Sequence, residues 1–430
     1  MMRVQLQART RGLAHRRRER GAVLVLVVLS MIALIAFVGL ALDLGKLYVA
    51  KSELQNSADA CALSAARDIN GITPLAVSEA AGIAAGHLNR ALFQSLPVSM
   101  DMNNNVTYAT SFDGLFYNKG DSNVGALSQI AFVQCTTALP NIPNWLIQVL
   151  NVLPGMNVGP TTVSARAVAT NGHAQTSCAL PVFICAPPSG QNYSVGQWLQ
   201  SKVDSSTGSY TQGMFGWANL NLNGTNPCTG ANCLADQLAG TTCNVPAVGQ
   251  QVGENGNISS LRKSYNTRFG IQYNGNSAPQ GTSDFTGYAY TSQTTWKSAS
   301  NAYDGTSPSN PGAFNYVSSR TQRLPYQGDA TSGLNTKGSP GSSGVYQGGA
   351  DRRLVPAPMV NCDTMNSSQH ATITGWACVL MLDPMQQGGN SNAVHLEYRG
   401  LASAPGSPCS AQGVPGGANG IGPLVPELIQ

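Results

Sequence analysis

Over residues 1–70 the pattern of apolar and polar positions changes twice. Residues 22–42 read "AVLVLVVLSMIALIAFVGLAL", with no charge and a single polar side chain, Ser30. A helix of 21 residues rises about 30 Å, the thickness of a bilayer core, and satisfies its own backbone hydrogen bonds in hydrocarbon. From Asp43 onward the run becomes periodic. Leu44, Leu47, Tyr48, Leu54, Ala58, Cys61, Ala62, Ala65 and Ile69 recur at helical spacing, while Lys46, Glu53, Ser57, Ser64 and Arg67 fall on the other face. No proline interrupts residues 22–73, so one long helix is predicted, half in lipid and half outside it. Thr73-Pro74 then reads as an N-cap with proline at the first helical position, opening a second helix through "LAVSEAAGIAAGHLNRALF" to Pro97.

Beyond Pro97 the period shortens. Candidate strands are "NVTYATSF", "QIAFVQC" and "TTVSARAVAT", and between them "NWLIQVLNVL" is a short apolar helix candidate bounded by Pro143 and Pro154. Residues 186–350 are dense in Gly, Asn, Ser and Thr, and "DATSGLNTKGSPGSSGVYQGGAD" reads as a mobile loop. Strand patterns return in "RRLVPAPMVNC" and "TITGWACVLMLD". The predicted fold class is α+β: a single N-terminal transmembrane helix continuing as an amphipathic helix, followed by a β-rich, disulfide-containing exported domain with a long turn-rich insertion. The expected segments are a basic cytoplasmic tail (1–21), the transmembrane helix (22–42), an exported helical stem (43–97), a β-rich segment (98–185), a turn-rich insertion (186–350), returning strands of the same domain (351–401) and an irregular C-terminal tail (402–430). Two successive domains are the alternative to one domain with an insertion.

Charge changes this picture in one respect. Residues 1–21 hold seven Arg and one Glu, a net +6, so the whole-chain +4 leaves −2 for the rest. The body therefore offers no basic footprint for nucleic acid, and no nucleic-acid partner is expected. Arg16, Arg17, Arg18 and Arg20 stand just before the apolar run, and Asp43 and Lys46 follow it. The positive-inside rule then keeps the N-terminus in the cytoplasm and places residues 43–430 on the far side of the membrane. A cleaved signal peptide is the competing reading, but its apolar core is normally only about 7–15 residues and ends at a small-x-small site.

Candidate chemistry is sparse. All ten cysteines (61, 135, 178, 185, 228, 233, 243, 362, 378 and 409) follow the apolar run, and an even number in an oxidising compartment favours disulfides. Cys178 with Cys185, Cys228 with Cys233 or Cys243, and Cys362 with Cys378 are candidate local pairs, while Cys61 inside the stem also reads as a small buried apolar residue. Only "CTGANC" has zinc-like spacing. "DMNNN" at 101–105 begins like a calcium loop, but Val106 and Phe112 stand where Gly and Glu belong. There is no G-x-S-x-G, HExxH or phosphate loop. His370 and His395 are the first suspects for a dispersed triad, although ordinary polar roles suit them better. No catalytic, cofactor-binding or metal residue is predicted, and no cofactor is expected.

The stretch "RGAVLVLVVLSMIALIAFVGLALDLGKLYVAKSELQNSADACALSAA" resembles the N-terminal module of the TadE/TadG-like Flp pilus-assembly proteins. The features shared are Arg-Gly before the span, "ALDLGKLY" at its exit and "ELQNSADACALSAA" beyond it. Weaker echoes are "VSARAVA" and "CALPVFIC". The resemblance implies an inner-membrane component or minor pilin-like subunit of a tight-adherence pilus and secretion system, not a reaction. It implies as partners the lipid bilayer, other Tad/Flp components or pilin-like stems, and a second copy of the chain. Prepilin-type processing would cut after Gly21 with Glu five residues on, and that position is Leu26. Some TadG-type proteins also carry a von Willebrand A domain with a D-x-S-x-S metal loop. Here Asp204-Ser205-Ser206-Thr207-Gly208 has glycine in place of the second serine.

Two functions follow as expectations. The first is a non-enzymatic, membrane-anchored structural or assembly protein. The second is an anchored periplasmic binder or hydrolase of glycans or peptidoglycan, in which Trp198, Trp217, Trp296, Tyr288 and Tyr290 would stack on sugars.

Overall fold

The computed structural model describes residues 20–152, 155–188, 191–201, 210–222, 227–240, 245–255, 259–274, 281–294, 296, 301–305, 315–387, 393–416 and 420–430. The chain divides into two compact units, residues 1–170 with 428–430, and residues 171–427. The architecture is α+β, a long apolar N-terminal helix followed by a β-rich region, with four disulfides whose two cysteines both lie among the described residues.

Unit 1 is built on α1 (Arg20–Arg67), one unbroken helix of 48 residues. It is the one described helix long and apolar enough to cross a membrane. From Val23 to Leu42 its large apolar side chains are exposed, Phe37 among them. Beyond that point one face is covered: from Leu54 on it is the stripe the periodicity predicts, with Leu54, Ala58, Cys61, Ala62, Ala65 and Ile69 buried, while nearer the span polar and small side chains take its place. Asp43, Lys46, Ala50, Leu54, Ser57 and Cys61 are buried, whereas Leu44 and Tyr48 face outward. The reason is that the partners of this face are close-packed helix and backbone, which admit small and hydrogen-bonding side chains.

α2 (Leu75–His87) lies against that stripe. A Cβ on Gly82 would meet the Ala65 Cβ at 3.0 Å, so the two helices approach where neither carries bulk. Three serines cross the gap: Ser57 Oγ donates to Gly86 O at 2.9 Å, Ser64 Oγ to Ala81 O at 3.0 Å, and Ser78 Oγ to Ala65 O at 2.8 Å. The helix begins one residue later than predicted, with Pro74 rather than Thr73 at the N-cap, and it ends ten residues before Pro97. The remainder forms a hairpin of β1 (Arg90–Ala91) and β2 (Leu96–Pro97). Leu92, Phe93 and Gln94 at its tip all have positive φ, which no helix accommodates.

Three antiparallel strands also pack on α1: β3 (Val106–Ala109), β4 (Phe132–Ile142) and β5 (Thr161–Thr176). These match the three strand candidates in place. Cys61 is not a free apolar residue but bonds Cys135 of β4, stapling helix to sheet. Leu54, Ala58, Ile83, Met100, Tyr108 and Val133 fill the space between. "NWLIQVLNVL" is a 3-10 turn over Ile147–Val152, not an α-helix.

Unit 2 contains the strands β6 (Val182–Cys185), β7 (Trp198–Ser201) and β8 (Met214–Trp217), helix α3 (Gly230–Ala239), the short β9 (Gln251–Val252), α4 (Arg262–Thr267) and β10 (Ile271–Gln272). Next come α5 (Tyr316–Thr321), α6 (Asp329–Ser332), β11 (Ser339–Pro340), α7 (Ser343–Gln347), and the strands β12 (Leu354–Val360), β13 (Ala371–Met381) and β14 (His395–Leu401). The sheet runs β12-β6-β8-β7-β14-β13, and β13 pairs back with β12. Six strands thus close into a barrel without free edges. Leu180, Ile184, Phe215, Val355, Val379 and Leu396 belong to its apolar core.

This closure revises the expected organisation. Residues 198–217 supply β7 and β8 between β6 and β14, so the first part of the expected 186–350 insertion belongs to the barrel, while the described residues from 218 to 350 carry short helices and two-residue strands outside the six-strand ring. The strands of 351–401 return to β6 and not to the β3–β5 sheet. The tail from Ala402, expected to be irregular, carries β15 (Ser410–Pro415) and β16 (Leu424–Leu428), both paired with β5. Within unit 2, β15 pairs the end of β5 at Ala174 and Thr176.

Disulfide partners follow sheet register rather than sequence proximity. Cys185 bonds Cys362, not Cys178, because parallel pairing sets Cys185 beside Val360. Cys378 bonds Cys409, not Cys362, since the β12–β13 register puts it opposite Pro356. Cys228 and Cys233 pair locally at the start of α3. Cys178 is also disulfide-bonded, and Cys243 lies outside the described residues.

The loops around the barrel lack long ladders, and their carbonyls need donors. Arg353, fully buried, supplies them: its guanidinium donates to Met381 O at 2.7 Å, Tyr288 O at 3.0 Å and Thr286 O at 3.1 Å, and lies 4.2 Å from the Phe269 ring centre. Asp284 accepts from the N–H groups of Arg352 and Arg353 and from the Tyr316 hydroxyl. The stretch 329–351, expected to be a mobile loop, is similarly pinned. The Asp329 carboxylate accepts from Tyr326 Oη at 2.7 Å, Thr336 Oγ1 at 2.7 Å and Lys337 N at 3.1 Å, and Tyr346 is buried.

Candidate functional site

The chemistry that the sequence concentrates at the end of the apolar run is concentrated there in space too. Asp43, one residue past the run, accepts three backbone N–H bonds: Oδ1 from Trp145 at 2.9 Å, Oδ2 from Leu146 at 3.0 Å and from Ile147 at 2.8 Å. These are the orphan donors at the start of the 3-10 turn Ile147–Val152. One helical turn on, Lys46 Nζ donates to Pro143 O at 2.7 Å and lies 4.2 Å from the Trp145 ring centre. Both charged groups are buried. A carboxylate and an ammonium so placed are compensated by hydrogen bonds and by each other's field.

One turn earlier, a Cβ on Gly39 would stand 2.8 Å from the Leu146 Cβ. Glycine there lets the 143–147 segment lie flush on α1. A second carboxylate on the same helix, Glu53, accepts from the N–H groups of Phe93 at 3.0 Å and Gln94 at 3.1 Å. It holds the left-handed tip of the β1–β2 hairpin. The exit of α1 is thus a clamp, in which acidic and basic side chains of "DLGKLY" grip backbone more than 90 residues away in sequence. Sequence reading singled out Asp43 and Lys46 as flanking charges and missed this role. The signal available was Trp145 and Leu146 two residues after Pro143, apolar positions between Pro143 and Pro154.

The residues suspected of chemistry are dispersed. His395 Nδ1 lies 2.8 Å from Asp383 Oδ2, and Asp383 Oδ1 also accepts the His395 N–H at 2.7 Å. Burial pulls the His395 imidazole down, but the hydrogen bond and charge of Asp383 outweigh it and leave its pKa above the ordinary value. No described hydrogen bond joins His395 to a serine or cysteine side chain, and none joins it to His370. Glu397, whose pKa burial pushes up to about 7, accepts from Ala302 N at 2.6 Å, Tyr303 N at 3.1 Å, Trp198 Nε1 at 3.2 Å and Arg399 Nη1 at 3.1 Å. It anchors a loop.

The aromatic set proposed for sugars is packing material. Tyr290 and Trp296 are buried edge-to-face with centroids 5.4 Å apart, and Tyr288 leans on Tyr290. Asp101–Asn105 is a turn, with Asn104 N and Asn105 N both donating to Asp101 O. The D-x-S-x-S candidate at 204–208 lies outside the described residues. Among the described residues no group of three His, Cys, Asp or Glu could hold a metal ion.

Residues 21–68 match the model of the family described as "Putative Flp pilus-assembly TadE/G-like". That stretch is α1 almost from end to end, including Gly39, Asp43, Lys46, Glu53 and Cys61. It is the same stretch that carries the resemblance in the sequence, and it supports a role related to Flp pilus assembly. Comparison with curated proteins and with solved structures gives no match.

Proposed function

We propose that this chain is a membrane-anchored structural or assembly component of a Flp/Tad-type pilus and secretion system, acting by protein–protein contact and catalysing nothing. The observation that carries it is the single helix α1, exposed and apolar over Val23–Leu42 and built into unit 1 thereafter, which coincides with the family match. The anchor is residues 22–42, with the basic tail of residues 1–21 in the cytoplasm and residues 43–430 beyond the inner membrane. Disulfides support that side, since they persist in oxidising compartments. Other Tad components or pilin-like stems are its partners, together with a second copy of itself.

The test is deletion of the gene, scored for pili and surface attachment, with immunogold labelling of sheared pili against washed membranes. Loss of pili with label on membranes makes it an assembly component. Loss of pili with label along fibres makes it a minor pilin. Unchanged pili and attachment overturn the proposal.

A further inference from the structure

We infer that the segment Pro143–Ile147 is a second membrane contact, a Trp145–Leu146 foot that rests in the lipid interface beside the exit of α1. The inference depends on residues 22–42 being the membrane span. It commits to the bilayer as the occupant because of where the clamp sets this segment along α1.

Depth comes first. Leu146 packs on Gly39, which lies inside the apolar run, while its N–H reaches Asp43, which lies just outside it. At about 1.5 Å rise per residue those two positions differ by roughly 6 Å along the helix. If Leu42 is the last residue in hydrocarbon, Trp145 and Leu146 sit at the boundary between acyl chains and headgroups.

Exposure comes next. Trp145 is 58% exposed and Leu146 40%, and on α1 Leu40 and Leu42, next in sequence to Gly39 and Asp43, are exposed as well. Exposed apolar side chains of the span thus reach the level of the foot along α1. Tryptophan and tyrosine favour this level of a bilayer, where a ring meets apolar chains and its polar edge meets water.

Polar satisfaction completes the argument. The start of a 3-10 turn presents unpaired N–H groups, which are costly wherever water is scarce. Asp43 takes three of them, and Lys46 satisfies the Pro143 carbonyl while covering one face of the indole. The backbone of the foot is thus prepared for an environment poor in water, which a segment facing bulk solvent does not require.

The experiment uses the full chain in liposomes, with phosphatidylcholine brominated at shallow acyl positions as the quencher. Trp145 is one of five tryptophans. Brominated lipid should quench up to about a fifth of the emission in the wild type. The W145F variant should lose that quenched component. Equal fractional quenching of the two proteins, with the chain still retained after an alkaline wash, overturns the foot and leaves the span standing. Release of the chain by the wash overturns both. A photo-crosslinking residue at position 145 should yield lipid adducts in cells, and an adduct to protein instead overturns the bilayer as occupant.

Discussion

In unit 1 the helices α1 and α2 meet through alanine, glycine and serine, and the pair is close because so little side chain separates it. In unit 2 the barrel is ringed by loops that a buried arginine and several carboxylates tie down. The difference follows from what each backbone leaves unpaired. A helix and a ladder satisfy themselves, so where α1 and α2 pack they need only shape, the serine bonds being additions to it, and charged ties enter unit 1 only where α1 meets irregular backbone, Asp43 and Lys46 at 143–147 and Glu53 at the β1–β2 tip. The segments around β10, α5, α6 and α7 have few ladder bonds, so donors such as Arg353 and acceptors such as Asp284 and Asp329 substitute for them. The α1–α2 contact should fail by loss of fit and the loops of unit 2 by loss of polar partners.

The largest expected effect is therefore in unit 2. Arg353→Ala removes the donors of several buried carbonyls and leaves Asp284 without its neighbouring charge. Breaking such a buried charged network costs about 3–5 kcal/mol. Chemical denaturation followed by the emission of Trp198, Trp217, Trp296 and Trp376 reads this unit. An unchanged midpoint would mean that the loops are held by packing alone, and the contrast between the units would collapse.

A leucine at Gly82 probes the opposite weakness. The glycine faces the Ala65 Cβ at 3.0 Å and the Cys61 Sγ at 3.2 Å, and Cys61 cannot retreat because it is bonded to Cys135. Overpacking of this kind costs about 1–3 kcal/mol. Alanine at the same position should be close to neutral, because its gain in helix propensity, about 1 kcal/mol over glycine, offsets a few tenths of an ångström of crowding. Thermal melts of helical circular dichroism distinguish the two. Equal tolerance of both residues would show that the α1–α2 contact is loose.

How much of this was legible in the sequence also divides between the units. α1, β4 and β5 were readable because each is long enough to display its period, and the four-residue β3 because turn residues, the Asn run before it and Asp113-Gly114 after it, set it off. The boundary of α2 was not, because the turn at Leu92–Gln94 is held left-handed by Glu53, a partner 40 residues away. The barrel was invisible for a related reason. β6, β7 and β8 have four residues each, too short for alternation to show, and closure depends on the β12–β13 pairing that no local pattern reports. At the exit clamp, the residues on α1 were marked by their place after the apolar run. The carbonyl and N–H groups they hold are backbone, which carries no sequence signature beyond Trp145 and Leu146 themselves.

The smallest effect is also the most selective, because it separates ties that titrate from ties that do not. The His395–Asp383 pair raises the His395 pKa in the folded state. A raised folded pKa means that the folded chain holds the proton more tightly, so the pair's contribution is complete below the unfolded histidine value. It is lost as the pH climbs through the folded one. His395→Asn should therefore cost more at about pH 5.5 than at about pH 8.5, by about 1 kcal/mol or less for a partly exposed pair. The matching variant in unit 1 is Ser78→Ala, which removes a bond to Ala65 O and a partner of the Tyr108 hydroxyl. Burial pushes that phenol up to about 12, so neither group changes charge over the same range, and the cost of the serine variant should be flat. Paired denaturation curves at the two pH values give the difference directly. A flat cost at His395 would mean that the pair is a neutral hydrogen bond. A slope at Ser78 would mean that the helix interface is coupled to a titrating group, and the division between the units would have to be redrawn.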